Sequence, residues 1–260
     1  MVGLGFEEWA LLGAAALVIG AAKTSVQNLV FFGIAAFALV LPARESTAAV
    51  VALLVSADAI AVVRYHALCD WALLRRLLPF VIPGQVLGAV FLAWVSDDVL
   101  RVLIGVLLVV LLVPQLVELV RGHRARTGED AGGAAPEASG LGPVASGLVG
   151  TAAGFTTMAA NVGGPLFTWY LLALRVDKQR FLGTGAIFFA VVNVLKIPAG
   201  IALGLFTPGN LALIPPLLPV LVVGAVLGNW LVHRLSQRAF DLIAVGMSVV
   251  AALALLVPGP

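Results

Sequence analysis

The sequence predicts an all-α integral membrane protein made of two inverted repeats, each a broken-helix or re-entrant hairpin plus three transmembrane helices. Three observations lead there: an extreme apolar composition, eight long apolar blocks, and one hydrophilic interruption that divides them into similar halves. Of the 260 residues, 62% are hydrophobic and 11% charged, and the mean hydropathy is +1.12. A soluble domain carries about 25% charged residues. A soluble core of this length has too little interior to hide so much apolar surface, so the solvent is lipid.

The elements follow in order. Residues 1–9 carry Glu7 and Glu8 and no basic residue. A cleavable signal peptide wants a positive first segment, so the first apolar stretch is expected to belong to the mature protein. The apolar blocks run over residues 10–41, 47–63, 77–95, 99–120, 144–174, 181–205, 211–232 and 240–257. Each is long enough, by the ruler of roughly 20 residues per spanning helix, to enter a bilayer. Residues 121–142, RGHRARTGEDAGGAAPEASGLG, are rich in Gly, Ala and charge. Such a segment cannot build a core and reads as a flexible linker. The organisation expected is an N-terminal repeat over 1–120, the linker over 121–142 and a C-terminal repeat over 143–260.

The halves share an order of features. The first and fifth blocks are both broken midway, by GAAKTSVQN (20–28) and GFTTMAAN (154–161). Asp58 in the second block falls opposite Asn193 in the sixth. VLGAVFL (86–92) answers VVGAVLG (222–228), and SDDVLRVLIG (96–105) answers SQRAFDLIAVG (236–246). Duplicated halves are a frequent transporter plan.

Charge placement decides how the broken blocks run. A 32-residue helix would be about 48 Å long, against a hydrocarbon core of about 30 Å, and its middle would hold Lys23, Thr24, Ser25, Gln27 and Asn28. If every block crosses once, seven basic residues (Arg44, Arg101, Arg175, Lys178, Arg180, Arg234, Arg238) face six (Arg64, Arg75, Arg76, Arg121, Arg124, Arg126). That gives no orientation. If the first and fifth blocks are hairpins, Arg44 and Arg101 stay on one side and the other eleven gather opposite. Lys and Arg concentrate in cytoplasmic loops, so two hairpins plus six crossings are expected. Both termini then lie outside and the linker is cytoplasmic. An odd number of crossings per half makes the repeats inverted.

The tips are the first candidates for chemistry. Irregular backbone at membrane depth is tolerated only where protein or a water-filled cavity satisfies it. Helix N-termini offer free N–H groups and partial positive charge, which suit anions. The first tip offers Lys23, Thr24, Ser25, Gln27 and Asn28. The second offers Thr156, Thr157 and Asn161, then Gly163, Gly164 and Pro165, a pattern allowing close backbone approach and a new helix start. The bland alternative is helix packing by small residues. Lys196 lies deep in the sixth block, with Asn193 one helical turn before it. A charge at that depth costs roughly 2.5–3.5 kcal/mol and usually marks function. Asp58 is a candidate coupling or gating carboxylate, able to pair with Lys23 or Lys196. Its alternative is a structural ion pair tying the halves together.

Other polar residues have simpler readings. Arg64, Tyr65 and His66 suit an interface anchor, and Trp9, Trp71, Trp94 and Trp230 suit aromatic belts. The prolines at 79, 83, 198, 215, 216 and 219 suit kinks. The single cysteine, Cys69, excludes an internal disulfide, and three scattered histidines make no metal cluster. No G-x-S-x-G, H-E-x-x-H or P-loop occurs, so neither an enzyme, a nucleotide-driven pump, nor a bound cofactor or metal is expected. The net charge of +2 reflects basic loops rather than nucleic-acid binding.

The two breaks, the stretch NVGGPLFTWYLLAL (161–174) and above all KQRFLGTGAIFFAVVNVLKIPAG (178–200), with its Gly183–Thr184 dipeptide and its N-x-x-K at Asn193–Lys196, resemble the TauE/SafE (TSUP) sulfite-exporter family. The resemblance covers essentially the whole chain apart from the linker. It implies secondary transport of small anions, typically sulfur oxyanions or organosulfonates such as sulfite, sulfoacetate or taurine-derived products, with export the usual direction. The reading expected is alternating access around a midplane anion site in the inner (plasma) membrane. Its partners would be a small anionic substrate, the lipid bilayer, and a proton or sodium as coupling ion, with a homo-oligomer left open. An anion channel and a non-transporting scaffold are the alternatives.

Overall fold

The computed structural model describes residues 4–25, 29–96, 99, 143–161, 163–174 and 176–234. Those residues form helices and connecting turns, with no strand among them. In chain order the helices are α1 (Phe6–Lys23), α2 (Val30–Val40), α3 (Ala43–Tyr65), α4 (Trp71–Trp94), α5 (Pro143–Ala160), α6 (Gly164–Ala173), α7 (Lys178–Ala202), the one-turn α8 (Pro208–Leu211) and α9 (Ile214–Arg234). Among the described residues, four stretches are long and apolar enough to cross a membrane: Glu45–Leu68, Trp71–Trp94, Lys178–Ala202 and Ile214–Arg234. The crossings expected over 99–120 and 240–257 lie outside the described residues, residue 99 apart, as does the linker.

Local chemistry sets the helix ends. The Asp70 carboxylate accepts from the backbone N–H groups of Ala72 and Leu73 at 3.1 and 3.2 Å and starts α4. Asp177 does the same for α7, accepting from Gln179 and Arg180. Each cap satisfies two of the donors a helix start leaves unpaired. Thr207 and Asn210 form a reciprocal capping box around α8.

Both broken blocks fold back on themselves. In the first, α2 returns against α1, with Gly33 set tightly on Ile19 and the Ala15 carbonyl. In the second, the Ser146 and Tyr170 hydroxyls meet at 3.0 Å across the α5–α6 pair. An 11-residue and a 10-residue return helix reach only about 15–17 Å at 1.5 Å per residue, about half of a hydrocarbon core.

The hairpins seat on the long helices through two interfaces of the same construction. Gly20 lies on the Leu221 carbonyl and Gly224 on the Leu17 carbonyl, so α1 and α9 touch backbone to backbone. Gly154 lies on the Val81 carbonyl and Gly84 on the Thr151 carbonyl, doing the same for α5 and α4. A Cβ at any of the four would collide with backbone, which no rotamer change relieves. Close approach through small residues is how helices associate where lipid gives no hydrophobic drive. Gly88 on Phe155 and Met158 matches Gly228 on Ala21 and Thr24. The contacts thus pair Gly84 with Gly224 and Gly88 with Gly228, one helical turn away from the alignment of VLGAVFL with VVGAVLG.

At the centre α3 and α7 run antiparallel. Ala48 clusters with Leu205 at one end, Asp58 bonds Asn193 in the middle, and Gly183 packs on Leu68 and Cys69 at the other end. That last end also holds the Arg180–Asp70 contact at 3.6 Å, the bond from Lys178 to the Val232 carbonyl and the Arg64–Asn229 bond. The basic residues of the α3–α4 connection, the α7 start and the α9 end therefore share one end of the bundle. α1 runs parallel to α9, which ends there, and α5 runs parallel to α4, which starts there; the two hairpins enter from opposite ends. The outer helices α4 and α9 turn Val86, Leu87, Val90, Val222, Val223, Val226 and Leu227 outward, as lipid-facing surfaces do.

Candidate functional site

The first tip brings Lys23 to the end of α1, where its ammonium lies 2.7 Å from Asp58 Oδ1 of α3. The same ammonium stands 4.6 Å from the centroid of the Phe189 ring of α7, a cation–π contact. Asn193, one helical turn along α7 from Phe189, donates from Nδ2 to Asp58 Oδ2 at 2.6 Å. Its own Oδ1 is buried without a hydrogen-bond partner among the described residues.

Lys196, a further turn on, donates to Asn161 Oδ1 at 2.7 Å. Asn161 ends α5 with φ +57°, the left-handed region that Asn tolerates better than most residues. Its N–H bonds the Thr157 carbonyl at 3.0 Å. The backbone turn that terminates the second hairpin thereby aims the amide at the α7 lysine.

Lys23, Thr157, Asn161, Gly164, Asn193 and Lys196 surround a cavity of about 20 Å³, completed by Val30, Leu54 and Phe189. That is room for one or two waters. The charged groups around it are almost wholly withdrawn from solvent: Lys23 is 5% exposed, Asp58 1% and Lys196 3%. The lining comes from both hairpins and both central helices, so any movement between them changes its size.

The remaining sequence candidates are placed elsewhere. The Thr24 hydroxyl donates to the Ala225 carbonyl of α9 at 2.7 Å, and the Ser25 hydroxyl donates to Ala21 within α1. Thr156 donates back to the Ala152 carbonyl at 2.9 Å. Gly163 packs on the Thr157 side chain. Gln27 and Asn28 lie outside the described residues.

Three participants carry no mark in the sequence, and a fourth has a different place from the one expected. Phe189, Val30 and Leu54 are apolar residues in apolar blocks and carry no sequence signal. Tyr65 was read as an interface anchor, yet it is 2% exposed. Its hydroxyl lies 2.8 Å from both the Thr24 carbonyl and Asn229 Oδ1, joining the first tip to α3 and α9. The pairing of a lone Tyr with an Asn 164 positions on has no local pattern from which it could be read.

The arrangement has the chemistry to hold an anion: two amines from different elements, amide groups between them, and a carboxylate paired with one of the amines. Among the described residues no group of three or more metal-ligating side chains forms. No curated protein and no solved structure matches this chain. The family model for the sulfite exporters TauE/SafE, a family of membrane transporters, matches residues 10–255. With that match running over nearly the whole chain, the protein belongs to the TauE/SafE sulfite exporter family.

Proposed function

We propose that the protein is a secondary transporter that exports small anions, sulfur oxyanions or organosulfonates, by alternating access around the cavity between the two hairpin tips. The observation that carries this reading is the convergence of Lys23 and Lys196, from separate elements, on one buried cavity with Asp58 paired to the first. Lys23 and Lys196 supply charge to the substrate. Thr157, Asn161, Asn193 and the Gly163–Gly164 backbone supply hydrogen bonds. Thr24, Ser25 and Thr156 contribute only if the tips rearrange and release their carbonyl partners. Asp58 is the gating group: an anion that takes Lys23 displaces the carboxylate from it.

Two inverted repeats fit this mechanism. The matched glycine contacts of α1–α9 and α5–α4, and hairpins entering from opposite ends, support the inversion. The concentration of basic residues at one end of the bundle supports an orientation with that end and the 121–142 linker cytoplasmic and both termini outside the inner (plasma) membrane. A cavity of about 20 Å³ favours a carrier caught closed over an open anion channel.

The test is a stability screen of the purified protein against sulfite, thiosulfate, sulfoacetate, taurine, sulfate and carboxylates. A ligand that binds only the folded state raises the unfolding midpoint. A rise with one sulfur anion that disappears in Lys196→Ala supports the site. A rise with cations or neutral solutes instead would make the lysines structural.

A further inference from the structure

The buried site holds an odd number of ionisable side chains. Among the described residues, Lys23, Asp58 and Lys196 are the charged side chains of the cavity region, each almost fully buried. Lys23 and Asp58 neutralise one another at 2.7 Å. Lys196 has only a neutral partner, the Asn161 amide oxygen. With an anion bound and both amines protonated, the two lysines and one carboxylate contribute +1 to the loaded site. The apolar sequences 102–117 and 242–257 contain no charged residue.

An unbalanced charge at membrane depth is costly. One negative charge brings the loaded site to zero, whereas two leave it at −1. We infer, resting on the anion-carrier reading above, that the species carried is a monoanion and that the carboxylate of Asp58 sets this selectivity. Asp58 and Asn193 face each other from the two central helices and share a hydrogen bond at 2.6 Å. The two side chains are close in size and shape and differ by one charge. Replacing Asp58 by Asn removes one charge from the site while nearly preserving its volume.

Two site charges are therefore accessible. Wild type, at +1, accepts a monoanion. Asp58→Asn raises the site to +2 and suits a dianion.

The experiment measures half-saturating concentrations from the thermal unfolding of the full-length protein in detergent, at fixed ionic strength. Methanesulfonate and isethionate are the monoanions; sulfate and thiosulfate are the dianions. Wild type is expected to favour the monoanions by roughly a hundredfold, the factor that one unbalanced charge at membrane depth implies. Asp58→Asn is expected to reverse the order. Equal binding of sulfate and methanesulfonate by wild type, or an unchanged monoanion preference in Asp58→Asn, would overturn the inference while leaving the anion site intact. If Asp58→Asn does not fold, Asp58→Ser, which removes the same charge with a smaller side chain, decides: a reversed order supports the inference and an unchanged monoanion preference overturns it. No response of wild type to any anion would overturn the anion-carrier reading itself.

Discussion

Lys23→Met leaves the Asp58 carboxylate 1% exposed with the Asn193 amide as its remaining partner. At the observed 2.7 Å the lost attraction is about 6 kcal/mol with an effective dielectric constant near 20. The desolvation that the pair already suffers offsets much of this, so the intact pair contributes little net stability. Stranding one member costs about 3–5 kcal/mol. For a chain of this size each kcal/mol moves the midpoint about 2–4 °C, so Lys23→Met should melt roughly 6–20 °C lower, and Asp58→Leu similarly. Replacing both removes the stranded charge, and the double variant should return to within a few degrees of wild type while losing anion binding. The assay is thermal unfolding in detergent, read as a double-mutant cycle. A double variant whose loss equals the sum of the two single losses would refute the buried pair.

Gly84→Ala places a methyl group on the Thr151 carbonyl and should abolish recovery of monodisperse protein. Gly13→Ala, where nothing lies within 4 Å, should be neutral or stabilise by up to about 1 kcal/mol through helix propensity; size-exclusion profiles compare them. Asn161→Gly keeps the left-handed turn but removes the acceptor of Lys196, so it should fold and lose anion binding. Asn161→Ala should lose binding and also destabilise by about 1–2 kcal/mol, which unfolding midpoints will report. Tyr65→Phe removes the hydroxyl beside the Thr24 carbonyl and Asn229, and should cost about 0.5–1.5 kcal/mol in the same assay. Burial, then the Asp70 carboxylate, push the Cys69 thiol upward against an opposing hydrogen bond with Thr184. Less thiolate is present at neutral pH, so maleimide labelling of this sole cysteine should be slow and accelerate above the usual thiol range. In oriented vesicles it should proceed only from the cytoplasmic side.

Composition and charge made much of the fold legible. Lipid as solvent follows from hydropathy, and the folding back of both broken blocks follows from the placement of Lys and Arg, which gives an orientation only if those blocks are hairpins. The basic-residue count required Arg64 and Arg180 on the same side, and both lie at the same end of the bundle. The helix register was less accessible: Gly84, Gly88, Gly224 and Gly228 recur at one-turn spacing, so a slip of four residues preserves the pattern, and only the backbone contacts decide it. Within the site, Lys23, Asp58 and Lys196 stood out because charge at depth is rare. Thr24, Ser25 and Thr156 stood out for a weaker reason, since hydroxyls in apolar helices often bond back to carbonyls, as these do. Phe189 stacks over Lys23 without any sequence signal, because one aromatic among many apolar neighbours is silent until its partner is placed.

The central claim, carriage of a small anion around Lys196, is tested most directly by counterflow of labelled sulfite in proteoliposomes. The account predicts saturable, exchange-dependent flux for wild type and background flux for Lys196→Ala reconstituted to the same density. Undiminished flux through Lys196→Ala, or wild-type flux that neither saturates nor depends on trans anion, would contradict it.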